Sequence, residues 1–275
     1  MAAADGSRQR KVLLTVEYDG TEYGGWQFQP GPGPKTIQGA LHEAIREALG
    51  QATEVEGASR TDRGVHAWGQ AASFVTGTPV PTHRLPQVVN GCLPPDIRVR
   101  EARDVDLGFH VRYDAYGKIY RYLFLQRRLE SAFLTRFTTR LEQRPDLELM
   151  RGAAADLVGE LDFRSFQNTS KAAPETTVRE VFGVRVVDAD PVICVEVSGA
   201  GFLYKMVRTM VGTLLEVGLG RRPVASIAAV LAARDRRLAG PTLEARGLSL
   251  VGVYYTRDDL EEDRRSAEFW RPLWA

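Results

Sequence analysis

A charged stretch between two apolar segments, residues 57–70, constrains the folding of this chain more than any other feature. It follows an apolar segment at 41–49 and precedes another at 71–75, and it holds an acid, two arginines, a histidine and a glycine. Gly64 tolerates backbone angles that other residues avoid, so we expect a sharp turn that presents Asp62 at the tip of a loop. A carboxylate on a loop held by a rigid sheet is well placed for catalysis.

Arg60 and Arg63 flank Asp62 at short range. If they face the acid, their charges favour its ionised form at neutral pH. A surface turn with a solvated ion pair is the commoner meaning of an isolated Arg-x-Asp-Arg-Gly string. These residues alone therefore leave both interpretations open.

Length and composition set broad limits on the class of protein. The 275 residues are 44% hydrophobic, which is enough for a substantial core in one large domain or two small ones. With 36 basic and 35 acidic residues the formal net charge is +1, so total charge neither supports nor opposes nucleic-acid binding. Local basic clusters bear on that question only weakly, because charge runs are usually solvated faces. The clusters are Arg98, Arg100, Arg103 and Arg112; Lys118, Arg121, Arg127 and Arg128; and Lys205, Arg208, Arg221 and Arg222.

The cysteines and the apolar runs indicate where the protein resides. Cys92 and Cys194 lack the spacing of metal ligands, so neither a disulfide framework nor a zinc site is predicted. Residues 1–10 are polar and lack the apolar core of a secretory signal. No apolar run approaches the roughly 20 residues of a membrane-spanning helix. We expect a cytoplasmic protein with no metal and no membrane association.

Hydrophobic periodicity predicts an α+β chain. The best-defined helix covers residues 37–49, where Thr36 is a cap and Gly50 a stop. The predicted strands are 12–18, 53–56, 70–75, 97–102, 113–125, 178–187, 192–197 and 248–255, and the other predicted helices are 82–91, 147–158, 202–217 and 223–233.

Alternation along the strand at 113–125 places Lys118, Tyr120, Tyr122 and Phe124 on one side. An aromatic stripe of this kind is more often part of a core than a ligand contact.

The charged stretch matches a known catalytic signature. Residues Arg60-Thr61-Asp62-x-Gly64-Val65-His66-Ala67 resemble the signature of the tRNA pseudouridine synthases of the TruA type. The resemblance covers residues 11–255, and Ser59 departs from it, standing where the family most often has glycine. Further motifs in the expected order are Tyr18-Asp19-Gly20-Thr21, Gly25-Trp26-Gln27-x-Gln29, Lys118-x-Tyr120-Arg121-Tyr122, Asp162-Phe163-x-x-Phe166 and Gly201-Phe202-Leu203-Tyr204-x-Met206-Val207-Arg208.

The resemblance implies the pseudouridine synthase fold, in which two similar α+β halves with mainly antiparallel sheets and flanking helices join across a central catalytic cleft. It implies a homodimer that isomerises uridine to pseudouridine at positions 38, 39 and 40 of the tRNA anticodon stem-loop. The base is detached, rotated and rejoined through carbon without net redox change, so no cofactor is needed. The implied organisation is a disordered leader at 1–10, a half carrying the Asp62 loop at 11–108, a second half at 109–255, and a charged tail with an aromatic end at 256–275.

The resemblance also implies roles for individual residues. Asp62 is the essential carboxylate, either as a nucleophile or as a base that removes a sugar proton. Tyr120 stacks on the flipped-out base, and Leu250 lines the pocket. Arg208 pairs with the aspartate and keeps it ionised, and Arg60 helps to flip the base or fills its space.

Two other functions remain open from the sequence. The first is a protein of the same fold that binds tRNA without catalysis. The second is a hydrolase that uses Asp62 and His66, with or without a metal. The four-residue spacing of this pair suits a helix, which Gly64 makes improbable, and the loop offers no second acid. A lone histidine such as His66 is more often a structural residue.

The aromatic, glycine-rich segment at 23–29 has two interpretations. It is either a structural loop with Trp26 packed on the core or, as the resemblance implies, a loop that faces RNA.

Overall fold

The chain divides between Ala115 and Tyr116 into two units, each an antiparallel sheet with helices packed on it. Our computed structural model describes residues 9–169 and 174–265. The predicted leader lies largely outside these residues, as does the aromatic end at 269–274. The α+β class with mainly antiparallel sheets and flanking helices is confirmed.

The first unit contains a three-stranded antiparallel sheet in the order β4, β1, β3, with the short β2 paired to β3. Leu14 and Val16 of the central strand are completely buried, as the apolar run predicted. The elements of this unit are β1 Arg10–Tyr18, α1 Ile37–Leu49, β2 Glu56–Gly57, β3 His66–Thr76, α2 Leu85–Asn90 and β4 Ile97–Val105.

Helix α1 has the predicted ends. The Thr36 hydroxyl accepts the Gly39 amide at 3.2 Å, and Gly50 adopts a left-handed conformation with φ of 68°. A side-chain acceptor before the first turn and a glycine after the last one satisfy the backbone groups that a helix leaves unpaired.

The strand predicted at 53–56 is wrong for most of its length, because only Glu56 belongs to β2. Side chains of α1 bond the backbone of Val55 instead. His42 Nε2 accepts the Val55 amide at 3.0 Å, and Gln38 Nε2 donates to the Val55 carbonyl at 2.7 Å. With both groups satisfied by the helix, this residue joins no ladder.

The second unit is a five-stranded antiparallel sheet in the order β10, β5, β9, β8, β7, with the short β6 parallel to β5. The predicted 178–197 hairpin is present as β8 and β9. The elements are β5 Gly117–Leu125, β6 Thr139–Arg140, α3 Leu147–Ala154, β7 Gly159–Asp162, β8 Val178–Ala189, β9 Val192–Gly199, α4 Met206–Gly218, α5 Ser226–Ala233, β10 Leu248–Tyr254 and α6 Arg257–Arg265.

Helix α4 begins four residues later than its apolar pattern indicated, at Met206 instead of Phe202. Lys205 has a φ of 59°, a left-handed conformation that interrupts any helix passing through it. The apolar side chain of Leu203 is buried nevertheless, which is why the hydrophobic pattern runs on.

Residues Arg257–Arg265, in the described part of the charged tail, form the helix α6, to which no role could be assigned from the sequence. Leu260 is completely buried and lies against the backbone at Gly117 of β5. Asp263 accepts from the Tyr254 hydroxyl, and Arg185 donates to the Arg264 carbonyl. The helix therefore covers the face of the sheet that bears Gly117.

A buried carboxylate lies on the sheet face that α6 covers. Glu196 is 2% exposed and accepts Arg121 Nε at 3.0 Å, while Arg185 Nε lies 3.5 Å away on the other side. Burial raises the pKa of Glu196, and the two arginines oppose that shift. The three residues stand opposite one another on β5, β9 and β8.

No helix within residues 9–169 and 174–265 is long and apolar enough to cross a membrane.

Candidate active site

Asp62 lies in the connection between β2 and β3, on a tight turn. The Val65 amide donates to the Asp62 carbonyl at 3.1 Å, and Gly64 has a φ of 76°. This is the sharp turn that Gly64 predicted. Asp62 is half-buried, whereas the neighbouring Arg60 and Arg63 are exposed.

The first residues of this loop are fixed to β3. Gln70 is completely buried, and its amide brackets Ser59: Oε1 accepts the Ser59 amide at 3.2 Å, and Nε2 donates to the Ser59 carbonyl at 2.6 Å. The Ala58 amide donates to the Ala71 carbonyl at 2.9 Å. Ser59 has no positive φ, so a serine fits where the family most often has glycine.

The end of β1 and the segment between β1 and α1 hold the Asp62 loop through Thr61. The Trp26 amide donates to the Thr61 carbonyl at 3.0 Å, and the Tyr18 hydroxyl lies 2.7 Å from Thr61 Oγ1. Trp26 is 1% exposed and packs so closely on Gly57 that a side chain there would clash with the indole. These contacts favour the structural interpretation of Trp26 over the RNA-facing one.

The Asp19–Gly20 turn lies against the other end of the loop. His66 Nδ1 is 3.1 Å from an Asp19 carboxylate oxygen and 3.1 Å from the Gly20 amide nitrogen. A β-carbon on Gly20 would overlap the Val65 carbonyl, so only glycine permits this approach. His66 is thus a buried structural residue, as expected for a lone histidine.

Burial and hydrogen bonding act in opposite directions on Asp19. Burial raises the pKa of its carboxyl, but hydrogen bonds from His66 and from the hydroxyl and amide of Thr21 hold it well below its ordinary value. The ionised form of Asp19 is therefore built into this turn.

In the second unit, Tyr120 lies on β5 directly opposite Leu250 on β10. Tyr120 is 7% exposed and meets the ring of Phe202 edge-on, with centroids 5.4 Å apart. Leu250 is completely buried. Tyr120 and Leu250, the two residues predicted to contact the base, are therefore neighbours in one sheet, and Phe202 packs against Tyr120.

Arg208 is the third residue of α4 and is held by backbone. Its Nε donates to the Leu243 carbonyl at 2.7 Å. Its charge reaches Tyr122: burial raises the pKa of that phenol to about 12, while the Thr139 hydrogen bond and Arg208 act to lower it. The guanidinium therefore has a fixed position beside β5.

The first unit thus carries Arg60 and Asp62, and the second carries Tyr120, Arg208 and Leu250. The sequence did not identify the supporting residues Asp19, Tyr18 and Gln70. The glycines of the opening motif were the signal that could have revealed these contacts, since the backbone packs on the loop at Gly20 and Gly25.

No cluster of three potential metal ligands occurs among residues 9–169 and 174–265.

Comparison with known families identifies the chain. The model of the tRNA pseudouridine synthase family matches residues 14–114 and 153–256. The chain belongs to this family. As a tRNA pseudouridine synthase it is an isomerase of uridines in tRNA, and the resemblance that the Asp62 signature carried is confirmed. The match ends before α6.

Curated relatives agree over nearly the whole chain. A tRNA pseudouridine synthase A of Acetivibrio thermocellus is 43% identical over 246 residues, covering 90% of this synthase and 100% of the relative. That of Geobacter sp. strain M21 is 44% identical over 248 residues, covering 90% and 99%. Among solved structures, a Cbf5-Nop10-Gar1 complex aligns with 95% of this synthase and 65% of the matched chain at 12% identity and a TM-score of 0.35, a likeness too distant to inform the site.

Proposed function

We propose that this synthase isomerises uridines 38, 39 and 40 in the anticodon stem-loop of tRNA, with Asp62 as its catalytic carboxylate. The glycosidic bond from the sugar to N1 breaks, the base rotates, and a carbon–carbon bond forms between the same sugar and C5 of the same base. The proton on C5 is lost, and N1 takes up a proton. Atoms and electrons balance without a redox partner, so the proposal includes no cofactor.

The observation that carries the proposal is the support of the Asp62 loop. Two residues that precede the turn are fixed, Ser59 by Gln70 and Thr61 by Tyr18 and Trp26, while Asp62 itself is half-buried. A half-buried carboxylate whose backbone is fixed suits a group that meets the reacting atoms of a bound substrate. It acts as a nucleophile on the sugar or as the base that removes a sugar proton.

In this proposal, Tyr120 and Leu250 receive the extruded base. A uridine inside a stem has to be flipped out at a cost of a few kcal/mol. Stacking on an aromatic ring contributes about 1–3 kcal/mol per base, which offsets part of that cost. The Phe202 ring against Tyr120 keeps the stacking face in one orientation.

Two arginines have distinct roles in this proposal. Arg208, held by the Leu243 carbonyl, is the cation that pairs with Asp62 and keeps it ionised. Arg60 is exposed beside Asp62 and helps to displace the base or fills its place.

Exposed arginines such as Arg100 and Arg103 on β4 contact phosphates, so tRNA binding weakens as salt rises.

We further propose that the synthase works as a cytoplasmic homodimer, in which one subunit holds the tRNA body while the other reacts. Sedimentation of the purified protein with and without tRNA tests the dimer. A single species of monomer mass at micromolar concentration would contradict it.

The test of the proposed function is pseudouridine mapping on an unmodified tRNA transcript that carries uridines at all three positions. Wild-type enzyme, Asp62→Ala and Asp62→Asn are incubated in parallel, and modified positions are read by chemical adduct and primer extension. We expect signal at positions 38 to 40 with the wild type only, while both variants still bind the tRNA.

Other results favour the alternatives. Release of free uracil would indicate a hydrolase. tRNA binding without modification by the wild type would indicate a binding protein, and signal at other positions would indicate a different tRNA site.

A further inference from the structure

We infer that Asp19 and His66 are positioning residues of the reaction, which fix the end of the Asp62 loop from the turn that follows β1. This inference rests on the proposed role of Asp62 and extends it to residues that touch neither base nor sugar. It is carried by the burial and hydrogen bonds around His66 and by the close approach of the Asp19–Gly20 turn.

His66 lies at the end of the Asp62 loop. It is the first residue of β3 and directly follows Val65, whose amide closes the Asp62 turn at 3.1 Å. Its side chain is 6% exposed. Because Val65 joins His66 to the turn, a displacement of His66 along the strand also displaces the Asp62 turn.

The Asp19–Gly20 turn holds the His66 ring whether or not Nδ1 carries a proton. A protonated Nδ1 donates to the Asp19 carboxylate at 3.1 Å, and an unprotonated one accepts the Gly20 amide at the same distance. Both partners belong to one turn. The ring is thus anchored to that turn whichever nitrogen carries the proton.

The Asp19–Gly20 turn is itself held by further hydrogen bonds. Thr21 donates to the Asp19 carboxylate through both its amide, at 3.0 Å, and its hydroxyl. The Asp19 amide donates to the Asp96 carbonyl at 2.9 Å, and Tyr23 donates to the Asp96 carboxylate at 2.7 Å. The support of the loop therefore continues down to the start of β4.

The Tyr18 hydroxyl adds a second support on the same strand end. It lies 2.7 Å from Thr61 Oγ1, in a buried contact immediately before Asp62. Asp62 is thus flanked by two tethers, the buried Tyr18–Thr61 contact on one side and the partly buried Asp19–His66 contact on the other. A misplacement of about 1 Å at a reacting group costs on the order of a hundredfold in rate, so tethers of this kind affect turnover strongly.

The test compares steady-state kinetics on the tRNA transcript for Asp19→Ala, Asp19→Asn and Tyr18→Phe. We expect Asp19→Ala to lower kcat by about 10- to 100-fold while KM stays within about threefold, because binding surfaces are untouched. Asn keeps an acceptor oxygen at the same place, so Asp19→Asn recovers much of the loss. Tyr18→Phe removes one hydroxyl and lowers kcat severalfold.

Asp146→Ala is the matched control. Asp146 also accepts two backbone amides, at the start of α3, far along the chain from the loop. Its loss lowers the thermal midpoint without changing kcat. If Asp19→Ala fails to fold, Tyr18→Phe decides the question: a severalfold loss of kcat supports positioning by the tethers, and a wild-type kcat contradicts it.

Asp62→Asn in the same series separates the two hypotheses. If Asp62→Asn is inactive and Asp19→Ala and Tyr18→Phe turn over at the wild-type rate, positioning by these tethers is wrong and the role of Asp62 stands. If the Asp19 and Tyr18 variants change only KM or only the thermal midpoint, positioning is also wrong. If Asp62→Asn remains active, the proposed function of Asp62 is wrong, and the tethers have no catalytic group to position.

Discussion

The Nε of Arg208 donates to the Leu243 carbonyl at 2.7 Å, which ties the start of α4 to the segment leading into β10. The Leu243 amide returns a longer bond of 3.4 Å to the Arg208 carbonyl. The guanidinium is thus oriented by backbone, so its remaining N–H groups point in a set direction. A planar fork held in this way suits a carboxylate partner.

We predict that Arg208→Lys lowers kcat at least about tenfold, because lysine keeps the charge but lacks the planar fork and the Nε donor. A tenfold loss corresponds to about 1.4 kcal/mol of transition-state stabilisation. The kcat on a tRNA transcript checks this, with Arg265→Lys, an exposed position on α6, as the control. Equal kcat values for the wild type and Arg208→Lys would show that only the charge matters.

Gly25 and Gly31 offer a matched pair for testing the support of the Asp62 loop. Both have a positive φ, 104° and 109°, so alanine strains the backbone at either place. A β-carbon at Gly25 would lie 2.7 Å from the Thr61 carbonyl oxygen, whereas one at Gly31 would meet nothing within 4 Å. We expect each substitution to cost about 1–3 kcal/mol of stability from strain.

Only Gly25→Ala should also reduce turnover, because only it pushes on the peptide next to Asp62. Thermal midpoints and kcat values measured on both variants check the prediction. Similar turnover in the two variants would mean that the loop position tolerates displacement.

These contacts show what the sequence could and could not predict. The ends of α1 follow from Thr36 and Gly50, which act on their own helix. The strand predicted at Val55 is wrong because His42 and Gln38, side chains of α1, bond its amide and carbonyl groups. Pairing of that kind depends on the tertiary fold and leaves no periodic signal.

Some residues of the candidate site could likewise be predicted from the sequence, and others could not. The motif matches named Asp62, Tyr120 and Arg208 by resemblance. The partners of the loop lie far from it in sequence, as with His66 and Asp19, so no local pattern could join them. The edge-on Phe202 ring at Tyr120 likewise joins residues that are distant along the chain.

Helix α6 is predicted to stabilise the second unit. Leu260→Ala should lower the free energy of unfolding by about 2–4 kcal/mol, as large-to-small changes at fully buried sites do. Urea denaturation of this variant and of the exposed Glu262→Ala, expected within about 0.5 kcal/mol of the wild type, measures the difference. Equal midpoints for the two variants would show that α6 adds no stability.

Asp19 is predicted to make stability depend on pH in the acid range. Its pKa in the folded protein lies below the ordinary value of 3.8, so its charge adds stability above a pH of about 4. That contribution is lost as pH falls through the folded-state pKa. His66 is the titratable group in contact with it, and Asp96 and Tyr23 lie next along the network.

The wild type should therefore melt at a higher temperature than Asp19→Asn at pH 7, and the gap should narrow as pH falls toward 3. Thermal midpoints of both proteins over this range check the sign. A gap that stays constant or widens toward acid would contradict the assigned direction.

The proposed function depends on Asp62 as the carboxylate that performs the isomerisation. The most direct measurement is tritium release in a single turnover, using enzyme in excess over a tRNA transcript labelled at C5 of uridine, because forming the new carbon–carbon bond displaces the hydrogen at C5. Asp62→Asn is compared with the wild type at equal bound tRNA. We predict a full burst of tritium from the wild type and none above background from Asp62→Asn. Release by Asp62→Asn at a rate near that of the wild type would show that Asp62 is not the catalytic group.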